Sequence, residues 1–198
     1  MKLCVALDLP SAGENIALAT ALHEHNIWMK IGFRSYIRDG KAFIDALRQI
    51  NPEFKLFLDL KLYDIPNTMA DAAEEIAHLG VDMFNIHASA GEVAMRTVME
   101  RLQNFEERPL VLAVTALTSF DEAGFRDIYE KGIDEKAEQF AKMSYENGLD
   151  GVVSSAFESR AIKAATSDEF ITLCPGIRPF GEDAGDQQRV ATLEVAYQ

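Results

Sequence analysis

Short apolar runs alternate with amphipathic stretches from one end of the sequence to the other. Runs of strand length with no polar face suit strands buried on both sides, and the stretches between them carry the spacing of helices that cover such strands. This alternation restricts the chain to a parallel sheet built from repeated βα units. Strands are expected over Leu3–Leu7, Trp28–Ile31, Lys55–Leu60, Met83–His87, Leu110–Thr115, Gly151–Ser154 and Ile171–Cys174. Helical spacing is clearest over Thr68–Leu79 and Glu135–Asn147, the second closed by Gly148 where glycine ends helices. Ser11 and Glu14 have the spacing of a capping box for the first helix. The long loops are expected over Thr118–Gly132 and Gly176–Gln188.

An alternating β/α chain either closes into a barrel or stays an open, doubly wound sheet, and length does not separate the two. No G-x-G-x-x-G follows the first strand. Polar residues instead recur at the C-terminal ends of strands: Asp8, Lys30, Asp59 with Lys61, His87, Thr115 and Arg178. A barrel assembles its site from such a ring, so a (β/α)8 TIM barrel is expected, as one catalytic domain over residues 1–198. Its eighth βα unit is expected to be missing from these residues, because only the start of a helix follows the seventh strand.

A chain of 198 residues, 48% of them hydrophobic, buries one sizeable core. Its 19 Lys and Arg against 32 Asp and Glu leave a net charge of -13, which disfavours nucleic acid and anionic membranes as partners. A small anionic substrate then needs a local basic pocket, which directs attention to Lys30, Lys61 and Arg178. Cys4 and Cys174 fit no metal-ligand or redox spacing and read as buried, reduced thiols. No apolar stretch has the length of a signal peptide or a membrane span, so a cytoplasmic protein is expected.

The segment DLKLYDIPNT, from Asp59 to Thr68, concentrates the chemistry. Strand alternation puts Leu56, Leu58 and Leu60 on one face and Phe57, Asp59 and Lys61 on the other. The leucines suit the helical layer. Asp59 and Lys61 then point into the barrel mouth, where charges are costly unless paired with each other or with a ligand. A solvated edge or a structural ion pair would account for an isolated Asp-x-Lys, but not for an Asp, a Lys and a second Asp at one strand end. His87 lies on the inward face beside Asn85 and is expected to be a hydrogen-bonded core histidine, while His23, His25 and His78 read as surface groups.

D-x-K-x-x-D-I-P-N-T resembles the signature of the orotidine 5′-monophosphate decarboxylases, in particular the bacterial type. VALD, KIG, AVTALTS, GLDGVVSSA, CPGIRP and AGDQQR follow in the order of that family's elements. The resemblance implies decarboxylation of orotidine 5′-monophosphate to uridine 5′-monophosphate in pyrimidine biosynthesis, with no metal or cofactor. It further implies a charge network of Lys30, Asp59, Lys61 and Asp64, with Lys61 as proton donor to carbon 6 of the pyrimidine. Asp59 would lie beside the departing carboxylate, and an orienting role for it is preferred here to ground-state destabilisation. Asp8, Lys30 and Asp59 would contact substrate with Ile65, Pro66, Thr68, Thr118, Ser119 and Pro175, while Arg178 and Gln187 would reach its phosphate. Asp64, Ile65 and Thr68 would serve the neighbouring subunit of a homodimer.

The Gly-Arg pair that the resemblance implies after an eighth strand has no match in this sequence. Two other readings compete. A magnesium-dependent sugar-phosphate decarboxylase or aldolase of the same barrel suprafamily would share D-x-K-x-x-D but carry a glutamate ligand where Lys30 stands. A non-catalytic barrel binding nucleotide phosphate would leave the charges around Asp59 without a purpose.

Overall fold

The computed structural model describes residues 1–180, 185 and 188–197. The chain runs β1 (Cys4–Ala6), α1 (Ala12–Ala21), β2 (Trp28–Gly32), α2 (Phe33–Ile50), β3 (Lys55–Leu62), α3 (Pro66–His78), β4 (Met83–His87) and α4 (Glu92–Leu102). It continues through β5 (Leu110–Val114), α5 (Glu122–Tyr129), α6 (Ile133–Glu146), β6 (Gly151–Val153), α7 (Ser159–Ala165), β7 (Ile171–Leu173) and α8 (Leu193–Tyr197). Among the described residues, the seven strands form one sheet in sequence order, each parallel to its neighbours.

Two layers of apolar side chains shape that sheet. Leu56 and Leu58 face outward into the main core, where α3 adds Met69, Ala73 and Ile76 and α4 adds Met95, Val98 and Leu102. Phe57 faces the other way, into a cluster with Met83, Leu112, Val114 and Val153. Cys4 and Trp28 from the first two strands and Ile171 and Leu173 from β7 pack against that same inner cluster. A shared interior for the first and last strands means that the sheet curls toward itself, as a barrel does. Burying a side chain such as Phe57 is worth about 1.5–3 kcal/mol, so the inner cluster stabilises the curl together with the larger core under the helices.

Local signals account for the element ends. The capping box forms: Ser11 Oγ accepts the Glu14 N–H at 3.2 Å, and Glu14 Oε2 accepts the Ser11 N–H at 2.9 Å. Gly148 follows α6 at φ 79°, the left-handed conformation that glycine adopts without penalty. α3 starts at Pro66, slightly before the expected Thr68, because proline is preorganised for the first helical turn. At the strands' N-terminal ends, Asp82 accepts the Leu56 N–H at 2.8 Å and Asp150 accepts the Val111 N–H at 2.8 Å. Arg48 and Arg108 pair with these carboxylates and staple the N-terminal end of the sheet, opposite the site.

The expected loop over Thr118–Gly132 instead contains α5. Asp121 caps this helix by accepting the Gly124 N–H at 2.7 Å, and Phe125, fully buried, stacks on Tyr129 with ring centroids 4.5 Å apart. The expected Gly176–Gln188 loop lies partly outside the described residues, and a bridge between Ile177 and Ala191 draws its flanks together. No helix of the described residues is long and apolar enough to cross a membrane.

Candidate active site

The end of β3 departs from regular alternation. Its register with β4 shifts between Leu58 and Leu62, and within that bulge Lys61 takes φ 48°. A left-handed lysine costs about 1–2 kcal/mol and persists only where its surroundings hold it. Asn85 on β4 supplies the hold, accepting the Lys61 N–H at 2.7 Å through Oδ1. The same amide donates through Nδ2 to Asp59 Oδ1 at 2.8 Å, so one buried side chain fixes both members of the motif. Bulges that re-aim a side chain are common beside active sites.

Asp59 is the hub. Lys61 Nζ donates to its Oδ1 at 2.6 Å, and Lys30 Nζ lies 3.4 Å from its Oδ2. Lys30 in turn donates to Asp8 Oδ2 at 2.8 Å, so the charges alternate Asp8, Lys30, Asp59, Lys61. Burial opposes the charged form of Asp59, yet Lys61, Lys30 and Asn85 together hold its carboxyl below the usual carboxylate range. Burial likewise opposes the Lys30 charge, and Asp8 with Asp59 outweighs it, raising that ammonium above the ordinary lysine value. Gly32 leaves room for the pair: a Cβ there would lie 2.9 Å from Asp8 Oδ1 and 3.1 Å from Lys30 Nζ. The Phe33 ring, half exposed, lies 5.8 Å from Lys61 Nζ. Beneath the array, burial pushes the Cys4 thiol up to about 12, so it stays protonated.

Four of the expected site residues thus meet in one network. Asp64 does not join it, because its Oδ1 accepts the Ile65 N–H at 2.7 Å on the exposed N-terminus of α3. Ile65 and Thr68 are exposed there too, and Pro66 is half-buried. Thr118 is buried, and its carbonyl accepts the backbone N–H of Gln188 at 2.9 Å and of Arg189 at 3.3 Å, while Ser119 is exposed. Pro175 follows β7, and the Arg178 N–H donates to the Ala191 carbonyl at 2.9 Å. Gln187 lies outside the described residues. His87 is half-buried rather than in the core, and its ring makes no hydrogen bond among the described residues: it packs tilted against Tyr63, centroids 5.5 Å apart, and burial with the nearby Lys61 charge lowers its pKa.

Two features had no role in the sequence reading. Asn85 is a polar residue at an inward strand position, a signal available from alternation alone. Glu158, buried after β6, forms an ion pair with Arg189 and accepts the Ser155 N–H at 3.0 Å. Arg189 also donates to the Ala116 carbonyl at 3.3 Å, fastening the chain after β7 to the ends of β5 and β6. Nothing in the spacing of these residues announces that long-range pair.

The model of the Orotidine 5'-phosphate decarboxylase / HUMPS family matches residues 1–198. An orotidine 5'-phosphate decarboxylase of Sulfurovum sp. is 81% identical over 196 residues, covering 99% of this chain and 85% of that relative. One from Nitratiruptor sp. is 67% identical over 196 residues, covering 99% and 86%. The crystal structure of orotidine 5'-phosphate decarboxylase from Lactobacillus acidophilus gives a TM-score of 0.78 at 31% identity, over 89% of this chain and 81% of that one. An uncharacterized conserved protein from Geobacillus kaustophilus gives 0.81 at 34% identity, over 87% and 82%. With the parallel sheet in sequence order, these likenesses make the fold a TIM barrel, seven of whose strands lie among the described residues.

Proposed function

The chain belongs to the Orotidine 5'-phosphate decarboxylase / HUMPS family, and from that premise we propose how its residues decarboxylate orotidine 5'-phosphate to uridine 5'-phosphate. Loss of carbon dioxide breaks the bond from pyrimidine carbon 6 to its carboxylate and leaves the electron pair on carbon 6. Lys61 stabilises that charge as an ammonium and then transfers one Nζ proton to carbon 6, closing the balance. Asp59 orients Lys61 and Lys30, and Asp8 steadies Lys30. The carrying observation is the Asp59 carboxylate held by Lys61 Nζ at 2.6 Å, Asn85 Nδ2 at 2.8 Å and Lys30 Nζ at 3.4 Å. Such an array needs no reorganisation when charge develops, which is where electrostatic catalysis gains most. Phosphate contact falls to Arg178 and Gln187, and base and sugar contacts to Thr118, Ser119 and Pro175.

The magnesium-dependent alternative meets an obstacle in Lys30. Its ammonium stands 2.8 Å from Asp8 and 3.4 Å from Asp59, the carboxylates that a cation would otherwise recruit. A homodimer would bring Asp64, Ile65 and Thr68 to the partner's site. Exposed Tyr63 and Ile65, beside an Asp64 whose side chain bonds only the Ile65 N–H among the described residues, support that arrangement.

The test is to add orotidine 5'-phosphate to chelator-treated protein and follow the loss of its ultraviolet absorbance. Absence of turnover sinks the assignment, and turnover that returns only with magnesium favours the rival. Lys61→Ala is expected to abolish turnover while uridine 5'-phosphate still binds, whereas unchanged turnover refutes its role as proton donor. Ile65→Asp is expected to sediment as a monomer with reduced activity, and an active monomer rules out the shared site.

A further inference from the structure

Beyond the charged residues, we propose that Asn15 and Ser35 are positioning residues that clamp the backbone on both sides of Asp8 and so set the Asp8–Lys30 pair. The inference rests on the reading above that this pair belongs to the nucleotide site. β1 ends at Ala6, so among the described residues no strand hydrogen bond of Asp8 itself helps fix the direction of its carboxylate. Two fully buried polar side chains on flanking helices take over. Ser35 Oγ, on the first turn of α2, donates to the Leu7 carbonyl at 2.6 Å. Asn15, on α1, accepts the Leu9 N–H at 3.0 Å and returns a bond from Nδ2 to the Leu9 carbonyl at 3.3 Å. The same Nδ2 lies 3.4 Å from Ser35 Oγ, joining the two clamps.

Helix packing alone would be better served by apolar residues at these positions. Asparagine is a poor helix former, and burying an amide and a hydroxyl gains nothing unless each is bonded. Among the described residues, every hydrogen bond of the two side chains runs to Leu7, to Leu9 or between them. Ser35 also follows the Lys30 strand directly: β2 ends at Gly32 and α2 begins at Phe33. One short stretch therefore carries Lys30, the glycine that leaves space for the pair, and the hydroxyl that fixes the backbone before Asp8. The Leu7 N–H donating to the Lys30 carbonyl at 2.9 Å completes the coupling between the two chain segments.

A double-mutant cycle measures whether Ser35 acts through Asp8. Ser35→Ala is expected to weaken uridine 5'-phosphate binding about tenfold in the parent chain. In an Asp8→Asn background the same change is expected to cost less than about twofold. Equal losses in both backgrounds, or none in the parent, overturn the proposal. Ser144→Ala removes a buried hydroxyl of α6 that donates to the Phe140 carbonyl of its own helix at 2.7 Å, and controls for general destabilisation. It is expected to lower Tm and leave nucleotide affinity unchanged, while Ser35→Thr, which keeps the hydroxyl, recovers most of the affinity. Asn15→Ala, should it fold, follows Ser35→Ala. A ligand-free readout separates this inference from the assignment of the site: the Lys30 ammonium, followed by nitrogen NMR, is expected to titrate lower in Ser35→Ala. An unmoved titration overturns the clamp even where nucleotide binds, and a parent chain that binds no nucleotide overturns the reading of the site while the titration still judges the clamp.

Discussion

Replacing Asn85 by leucine tests the idea that one neutral side chain organises the catalytic charges. Leucine nearly matches asparagine in shape but removes the donor to Asp59 at 2.8 Å and the acceptor of the Lys61 N–H at 2.7 Å. A hydrogen bond to a charged group contributes about 1.5–3 kcal/mol, and a buried amide left without a partner costs about 1–3 kcal/mol. Lys61 is only half-buried and its amide regains part of that from water, so the expected loss of stability is about 2–4 kcal/mol. In a chain of this size each kcal/mol lowers Tm by about 2–4 °C. The kinetic effect is larger in kind, because Lys61 loses the contact that holds its left-handed backbone. A displacement of about 1 Å at a proton donor costs up to about 100-fold, so kcat is expected to fall by about 10- to 100-fold while uridine 5'-phosphate affinity changes little. Stopped kinetics, ligand calorimetry and thermal melts on the same preparation read all three. A variant with the lowered Tm and the parent's kcat would show that Asn85 serves packing alone, and the reasoning about Lys61 would fall.

Two more substitutions probe how the array is accommodated. Gly32→Ala places a methyl group 2.9 Å from Asp8 Oδ1 and 3.1 Å from Lys30 Nζ, so turnover and nucleotide affinity are expected to drop with little change in Tm. Unchanged steady-state kinetics would mean that both side chains shift freely. Glu158→Ala strands the half-buried Arg189 without its counter-charge and is expected to cost about 3–5 kcal/mol in chemical denaturation. Pairing it with Arg189→Met is expected to recover most of that loss, and failure to recover would refute the ion pair as the cause.

Much of this architecture is legible from alternation. The seven strand positions emerge because strands buried on both faces write continuous apolar runs, and Asp59 falls on the inner face with Phe57 as period two requires. Alternation cannot register a bulge, so the left-handed Lys61 and its dependence on Asn85 are invisible until β3 and β4 are set side by side. The short helix α5 escapes for a different reason. Its few apolar positions, with Gly124 inside, are too brief for a period, and Phe125 becomes helical through a stack with Tyr129 and a cap from Asp121. Asp64 marks a third boundary. Within one chain the turn at Ile65 carries it onto exposed surface, away from Asp59 and Lys61, and the role proposed for it across a dimer interface lies beyond what strand alternation can register.

The array's own charges say where substrate affinity must come from. Asp8 and Asp59 are balanced by Lys30 and Lys61, so the four formal charges sum to zero in a chain whose net charge is -13. A neutral array exerts no long-range pull on an anionic nucleotide, and each ammonium is already engaged by a carboxylate. In the proposed site, attraction then falls to the phosphate end, beyond β7 where Arg178 lies and the Arg189–Glu158 pair fastens the returning chain. The proposed roles thereby divide binding energy from chemistry: Arg178 and Gln187 would capture the phosphate, and Lys61 would answer only the charge that appears as the carboxylate departs. A site built in this way gains little by binding the ground-state carboxylate tightly. On the proposed reading, the Lys61–Asp59 contact at 2.6 Å keeps a proton donor aimed and charged until carbon 6 becomes basic enough to take the proton.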